Sequence, residues 1–427
     1  MALSLDYLLG LGVWLVTLPL LLWLSLVWRR SLRRRQRSLT RANLALSLWL
    51  LLVCLTGCEL YFALLYDQSD SFNRTNVSQK WFARWVTQKP LIFTGREGIP
   101  YRDDRDFPKA LQPGQQHVVF VGDSFTFGHG IRRVEDRFSN RVRATFDQRA
   151  PNQVLVTNIA DAGKDLYWVS EVADRLATHR LPVTTLVYVL CLNDIESFDR
   201  ERLAPPAPPP AAPPSAWNSF VSLLAAPYHW LVKETYFLNF VDHRLQWARI
   251  PRATSYYADV EESYQGPAWQ KMFAQLLDLR KTCRDAGIDL RVVVFPFLHN
   301  LGPNYPFTKA HQQIVAACQQ QQIPCLDLLP VLQPHARENL TVSLFDAHPN
   351  ERAHALVAPV IADEFLADLW HKPGPSGTPP AEPNPLEPNP LEPKPSEPRQ
   401  PGPTQRKLDQ PETKANDLPQ RETPPAP

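Results

Sequence analysis

From Tyr7 to Trp28 the chain carries no charged side chain, and Leu, Val and Trp dominate the run. About 20 such residues, each rising about 1.5 Å along a helix, suffice to cross a hydrocarbon core. A second apolar run extends from Leu44 to Tyr66, interrupted only by Glu59 and a few small polar residues. Between the two, RRSLRRRQRSLTR (29–41) holds seven arginines and no acid. Short loops rich in Lys and Arg stay on the cytoplasmic side of a bilayer. The expectation is therefore a transmembrane helical hairpin over residues 1–66 with both ends outside. Everything after Asp67 is then extracytoplasmic, on the periplasmic side of the cell membrane, and the lipid bilayer is a partner.

Two other readings of this region stand beside the hairpin. The first run can be a cleaved secretory signal, although it exceeds the usual length of about 7–15 apolar residues and MALSLDY lacks basic residues. The second is a lipid anchor at Cys58, because Leu55-Thr56-Gly57-Cys58 resembles a bacterial lipoprotein cleavage box. Glu59 inside a span favours that anchor. The apolar and aromatic stretch past the cysteine, Tyr61-Phe62 and Leu64-Leu65-Tyr66, favours a continuous helix. A lipid anchor, like the hairpin, leaves the bulk of the chain at a membrane and outside the cytoplasm.

Composition excludes several classes. Lys+Arg 45 against Asp+Glu 43 gives a formal charge of +2, so no global field points to nucleic acid. Six cysteines in 427 residues exclude a disulfide-dense mini-scaffold, and no C-x-x-C or H-E-x-x-H motif marks a zinc site. Cys283, Cys318 and Cys325 fall in an oxidising compartment if the hairpin reading holds, so a disulfide among them is allowed. Proline, at 43 residues, is about twice its average usage, which announces segments that cannot join a packed core.

After a mixed polar and aromatic juxtamembrane segment (67–114, with RDDRDFP at 102–108 read as a loop) a regular alternation begins. HVVFVG (117–122), QVLVTNI (153–159), VTTLVYVLC (183–191), LRVVVFPF (290–297) and IPCLDL (323–328) read as buried strands. Helical stretches are expected at 134–149, 165–179, 267–286, 307–321 and 350–370. Short continuous apolar runs alternating with amphipathic helices imply a parallel sheet covered on both faces, an α/β domain over 115–372. An insertion at 203–266 opens with the polyproline spacer APPAPPPAAPP (204–214) and continues into an aromatic helical segment, 217–240. The tail, 373–427, is Pro-rich, repeats EPNPLEPNPL, and is expected to be disordered.

The chemistry gathers at strand ends. VFVGDSFTFGHG (119–130) places Gly122, Asp123 and Ser124 at the carboxyl edge of the first strand, where open α/β sheets bind ligands. It is neither a phosphate loop nor a G-x-S-x-G elbow. A serine hydroxyl needs a base, and the base needs an orienting partner. SLFDAHPNERAH (343–354) supplies both, since residues two apart on extended chain point the same way and Asp346 can then reach His348. Gly163 in NIADAGKD and Asn193 in VYVLCLNDIES follow the next two strands. They offer a backbone N–H and a side-chain amide to a developing oxyanion.

Four separated segments thus carry Ser, Gly, Asn and Asp/His in order, which resembles the SGNH (GDSL) hydrolase superfamily over residues 115–372. The resemblance implies a flavodoxin-like three-layer α/β/α fold with a central parallel sheet. It implies Ser124 as nucleophile, His348 as general base and acid, and Asp346 as its orienter. The oxyanion hole would be the Ser124 N–H, the Gly163 N–H and the Asn193 side chain. The activity implied is hydrolysis of acyl esters, of carbohydrate or lipid, with no metal or organic cofactor. Two departures bear on this. Cys191 stands where the third block usually has Gly. Only Ala347 separates Asp346 from His348, which is similar to membrane-associated polysaccharide O-acetyltransferases. The surroundings of the serine, Phe125, Thr126 and Phe127, resemble a membrane-anchored bacterial branch.

Three functions follow: a membrane-tethered serine esterase, an O-acyltransferase acting on an envelope polysaccharide, and a catalytically silent envelope scaffold. The aromatic insertion, with Trp217, Phe220, Tyr228, Trp230, Tyr236, Phe237 and Phe240, is read as a lid or acyl pocket, or as packing against the sheet or the bilayer surface.

Overall fold

A strand buried on both faces needs apolar or small residues along its centre, and the run 118–122 meets that demand. In the computed structural model, which describes residues 5–93, 98–199, 216–248 and 252–370, all of Gln116–Gly122 is buried. The expected polyproline spacer and the Pro-rich tail lie outside the described residues.

In chain order the helices are α1 (Leu5–Arg34), α2 (Thr40–Leu60), α3 (Asn76–Trp85), α4 (Ser124–Phe127), α5 (Phe138–Arg149), α6 (Leu166–Thr178), α7 (Ala216–Glu234), α8 (Phe237–Ala248), α9 (Arg252–Gln265), α10 (Pro267–Asp285), α11 (Thr308–Gln320), α12 (Leu329–Leu332) and α13 (Glu351–Val360). The strands are β1 (Lys89–Leu91), β2 (Ile99–Tyr101), β3 (Gln116–Gly122), β4 (Val154–Ala160), β5 (Thr185–Cys191), β6 (Asp289–Phe295), β7 (Cys325–Asp327), β8 (Thr341–Ser343) and β9 (Asp346–Pro349).

Five strands form one parallel sheet in the order β4-β3-β5-β6-β7. Numbered within the sheet this is 2-1-3-4-5, the flavodoxin-like doubly wound order, whose switch point lies between its first and third strands. Here those are β3 and β5. In register, Gly122 stands beside Ala160 on one side and Val189 on the other, so three strands end at one edge. The core joins both faces: Phe138, Val142 and Phe146 of α5 pack with the sheet, as do Val169 and Val172 of α6 and Met272, Leu276 and Leu279 of α10.

α1 and α2, the latter prolonged by a wider turn over Tyr61–Leu65, are both long and apolar enough to cross a membrane. They lie side by side, with Trp14 Nε1 donating to Thr56 Oγ1 (2.9 Å) and Trp49 Nε1 to the Leu18 carbonyl (2.8 Å). α2 passes through Cys58 without a break. Glu59 is not stranded in it: the carboxylate accepts the Tyr7 hydroxyl (2.7 Å) and the Tyr236 and Phe237 N–H groups (2.9 and 2.8 Å) at the start of α8.

Several elements depart from the expectations. The stretch 67–114 contains a helix, α3, capped by the Thr75 hydroxyl, and its loop at 102–108 is partly buried. Arg102 in that loop donates to the Gly128 carbonyl (2.8 Å), and Asp103 accepts from Arg143 (2.8 Å). The expected closing helix, 350–370, ends at Val360 as α13 and continues as a wide turn and a 3-10 turn. Pro359 explains the break, because its ring removes an N–H from the helical ladder. The aromatic helix of the insertion is split at Thr235–Tyr236 into α7 and α8.

Candidate active site

The turn that ends β3 is built by three consecutive residues with separate jobs. At Gly122 a Cβ would stand 2.7 Å from the Val189 carbonyl oxygen and press on Thr126, so only glycine fits between β3 and β5. Asp123 caps the one-turn helix α4, its carboxylate accepting the Phe125 N–H at 2.9 Å. Ser124 is then the first residue of that turn, and its own N–H has no acceptor among the described residues. Gly128, with φ +72°, closes the turn in the left-handed region. Asn158 on β4 ties the turn down by donating to the Thr126 carbonyl (2.7 Å) and to Ser139 Oγ (2.7 Å).

Asp346 and His348 lie on β9, one arm of a small antiparallel hairpin with β8, 224 residues along the chain from the serine. Extended geometry puts both side chains on one face, as their spacing required. His348 Nδ1 stands 2.6 Å from Asp346 Oδ1, and His348 Nε2 stands 2.8 Å from Ser124 Oγ. All three residues are buried or nearly so. With the aspartate accepting at Nδ1, that nitrogen carries the proton and Nε2 faces the hydroxyl as acceptor.

Around this chain of hydrogen bonds stand groups that sequence reasoning had not singled out. Ser69, four residues past the end of the second apolar helix, donates its hydroxyl to Asp346 Oδ2. The same segment is laced to the hairpin by the Ser71 N–H on the Phe345 carbonyl (3.2 Å) and the Ala347 N–H on Ser71 Oγ (3.0 Å). His129 stacks on His348 with ring centroids 4.2 Å apart, and its Nε2 donates to the Asp70 carbonyl (2.8 Å) while lying 3.5 Å from Asp346 Oδ2. His129 falls within the first block, five residues past Ser124, so a signal for it existed. Ser69 had none.

The electrostatics separate these groups. Burial alone would push the Asp346 carboxyl up, but the His348 ring beside it, with His129 and the Ser69 hydroxyl, holds it well below the usual carboxylate range. It stays ionised. Burial, reinforced by the charge of His348, pushes His129 down to about 4, so this second imidazole is neutral at neutral pH. Burial also raises Asp123, whose carboxylate lies 3.4 Å from Ser124 Oγ, and raises Asp194, which accepts the Tyr188 hydroxyl (2.5 Å).

His129, Asp346 and His348 offer ligand atoms within 4.8 Å of one another, the spacing a metal ion would need. Both nitrogens of His348 are engaged in the Asp346 and Ser124 contacts and His129 Nε2 on Asp70, while His129 Nδ1 is buried without a partner among the described residues. An ion held by His348 would have to break the contact with Asp346 or with Ser124.

The two further residues expected at the site follow neighbouring strands at the same sheet edge. Gly163 is three residues past Ala160, in the left-handed region at φ +72°, with open space where a Cβ would be. Asn193 is four residues past Val189, in a 3-10 turn, and its side chain is among the groups that counter the upward shift of Asp123. Its Oδ1 is buried without a partner among the described residues. Cys191, at the end of β5, is buried and free, as are Cys283 and Cys318. None of the six cysteines is in a disulfide.

No family model and no curated protein matches the chain. Among solved structures it is similar to a two-domain esterase active on acetylated mannans, at 14% identity and TM-score 0.34, covering 61% of this chain and 52% of that one. It is similar to a psychrotrophic esterase from Pseudoalteromonas sp. at 15% identity and TM-score 0.34, covering 60% and 100%. A member of the lipolytic protein G-D-S-L family from Veillonella parvula aligns at 14% identity and TM-score 0.32, covering 59% and 98%. The chain spans about half the length of the first of these. Likeness at this level is too low to carry an activity over. The sheet order, with Ser124 in the turn that follows β3, is the flavodoxin-like doubly wound α/β arrangement that the resemblance in the sequence implied.

Proposed function

We propose that the chain is a membrane-tethered serine esterase that hydrolyses acyl esters through Ser124, His348 and Asp346. The observation that carries this reading is the unbroken hydrogen-bonded series from Ser124 Oγ to His348 Nε2 (2.8 Å) and from His348 Nδ1 to Asp346 Oδ1 (2.6 Å). His348 takes the hydroxyl proton as Oγ attacks the ester carbonyl carbon. The imidazolium that forms is stabilised by the ionised Asp346, which keeps its own charge. Negative charge on the carbonyl oxygen falls at the sheet edge, where the Ser124 N–H, the Gly163 N–H and the Asn193 amide are the available donors. Collapse of the tetrahedral adduct breaks the ester C–O bond, and His348 gives its proton to the leaving alcohol. Water, deprotonated by the same ring, then releases the acid from the acyl-serine.

The alternative reading passes the acyl group from Ser124 to a sugar hydroxyl instead of to water, as an envelope polysaccharide O-acyltransferase. The single residue between Asp346 and His348 favours it. Both readings share the acyl-serine, so one experiment separates them from each other and from a silent scaffold. The detergent-solubilised chain is given a short-chain aryl ester, with and without an oligosaccharide acceptor. Hydrolysis that Ser124→Ala abolishes and that the acceptor leaves unchanged supports the esterase. Turnover raised by the acceptor, with acylated sugar as product, supports the transferase. No turnover in either arm removes both.

A further inference from the structure

No charged residue occurs between Arg202 and Lys233, a span that includes nearly all of α7. The described part of that helix does not bury this apolar character in the protein. Every residue from Ala226 to Leu231 is exposed, with Tyr228 at 50%, Trp230 at 63% and Leu231 at 40%. At about 100° per residue, Trp230 points about 160° around the helix from Tyr228, which shares a face with Leu231, so exposed apolar side chains stand on opposite sides and there is no single buried face. A helix that is apolar all round is stable only when something apolar covers it, a large core or a membrane.

The place of α7 says which. Its junction with α8 is fastened to one end of the helical hairpin by several independent contacts. Glu59, in the last turn of α2, accepts the first N–H groups of α8, where a carboxylate is favoured by the helix dipole. The Tyr7 ring, near the start of α1, meets the Tyr236 ring edge-on at 5.2 Å. Phe62 packs on Phe237 and Phe240 at 5.4 and 4.9 Å. Asn76 donates to the Lys233 and Thr235 carbonyls that end α7 (2.8 and 2.7 Å). The first turn of α1 and the last of α2 mark one boundary of the hairpin. A helix joined there and rich in Trp, Tyr and Leu has the composition of the membrane–water interface.

We propose that α7 is an interfacial membrane helix, lying in the outer face of the same bilayer that the hairpin crosses. This rests on reading α1 and α2 as spans. It brings lipid close to the candidate site. From α8, Phe240 meets Phe345 at 5.4 Å and Arg244 lies over the Phe345 ring at 4.1 Å, and Phe345 directly precedes Asp346.

The test uses the full chain in nanodiscs, with and without phosphatidylcholine brominated near the top of its acyl chains, and the Trp230→Phe variant. Emission of the wild type minus that of the variant isolates one of the twelve tryptophans. That difference is expected to fall about twofold or more in brominated lipid and to be nearly insensitive to aqueous iodide. Quenching by iodide and not by bromolipid overturns the proposal. Protection from both quenchers, with a dimer mass for the particle, overturns it in favour of a second copy of the chain. Failure of the spanning reading is distinguishable: the chain would then be released from membranes by alkaline carbonate, before any fluorescence is measured.

Discussion

Replacing Ser69 by Ala removes a hydroxyl whose hydrogen-bond acceptor among the described residues is the outer oxygen of Asp346. Both residues are buried, so water does not take its place. A hydrogen bond to a charged group is worth about 1.5–3 kcal/mol, and a buried carboxylate oxygen left short of donors loses that amount. The nearest remaining donor, His129 Nε2, is 3.5 Å away and already committed to the Asp70 carbonyl. Ser69→Ala should therefore lower stability by about 1.5–3 kcal/mol. Because the hydroxyl is one of the groups holding the Asp346 carboxyl down, its loss lets that carboxyl rise. A depressed carboxylate contributes stability above its unfolded value and loses it as pH falls, so the acid limb of the stability profile should move to higher pH. Asp346 still meets His348, so catalysis should weaken rather than vanish, by about tenfold in kcat/KM, equivalent to about 1.4 kcal/mol. The assay is the rate of fluorophosphonate labelling of the solubilised chain against pH, beside a thermal melt. Ser69→Thr, which keeps the donor, should recover most of the labelling rate. Labelling of Ser69→Ala at the wild-type rate across the pH range would refute the reasoning.

Burial holds His117 and His129 down to about 4. Against an unfolded value near 6.5, each contributes on the order of 3 kcal/mol that is present above about pH 6.5 and lost as pH falls towards about 4; a thermal midpoint flat over that window would contradict it. Gly122→Ala drives a methyl into the Val189 carbonyl and Thr126 and should destabilise by about 1–3 kcal/mol or more, read as a lowered melting midpoint. The Cys318 and Cys325 thiols are in hydrogen-bonding contact, seven residues apart across the α11–β7 turn. If the domain lies outside the cytoplasm they should oxidise to a disulfide, seen as a linked peptide after alkylation of acid-quenched cells. Two alkylated cysteines would place the domain in a reducing compartment.

The parts of the fold that were legible are those where one local rule decides. β3 and β5 are covered on both faces, so their central positions, 118–121 and 186–190, are apolar or aromatic, and such runs are unambiguous. Asp346 and His348 were legible as a pair because extended chain repeats every two residues. The Gly122–Ser124 turn showed itself because a strand ended there. What stayed hidden depends on contacts between distant segments. Ser69 meets Asp346 across 277 residues, and nothing in the sequence around either announces the other. Glu59 looked misplaced in an apolar run because its partners at Tyr236 and Phe237 come 177 and 178 residues later. The end of α13 is different, since its cause is local: Pro359 lacks the N–H that the helical ladder needs, and the regular helix stops at Val360.

The central claim is that Ser124 is an activated nucleophile, and covalent capture tests it most directly. The full chain, incubated with a serine-reactive fluorophosphonate and digested, should yield a single modified peptide carrying the adduct at Ser124. His348→Ala should abolish that modification although the serine remains. An unmodified Ser124 in folded protein, or labelling that persists without His348, would contradict the account.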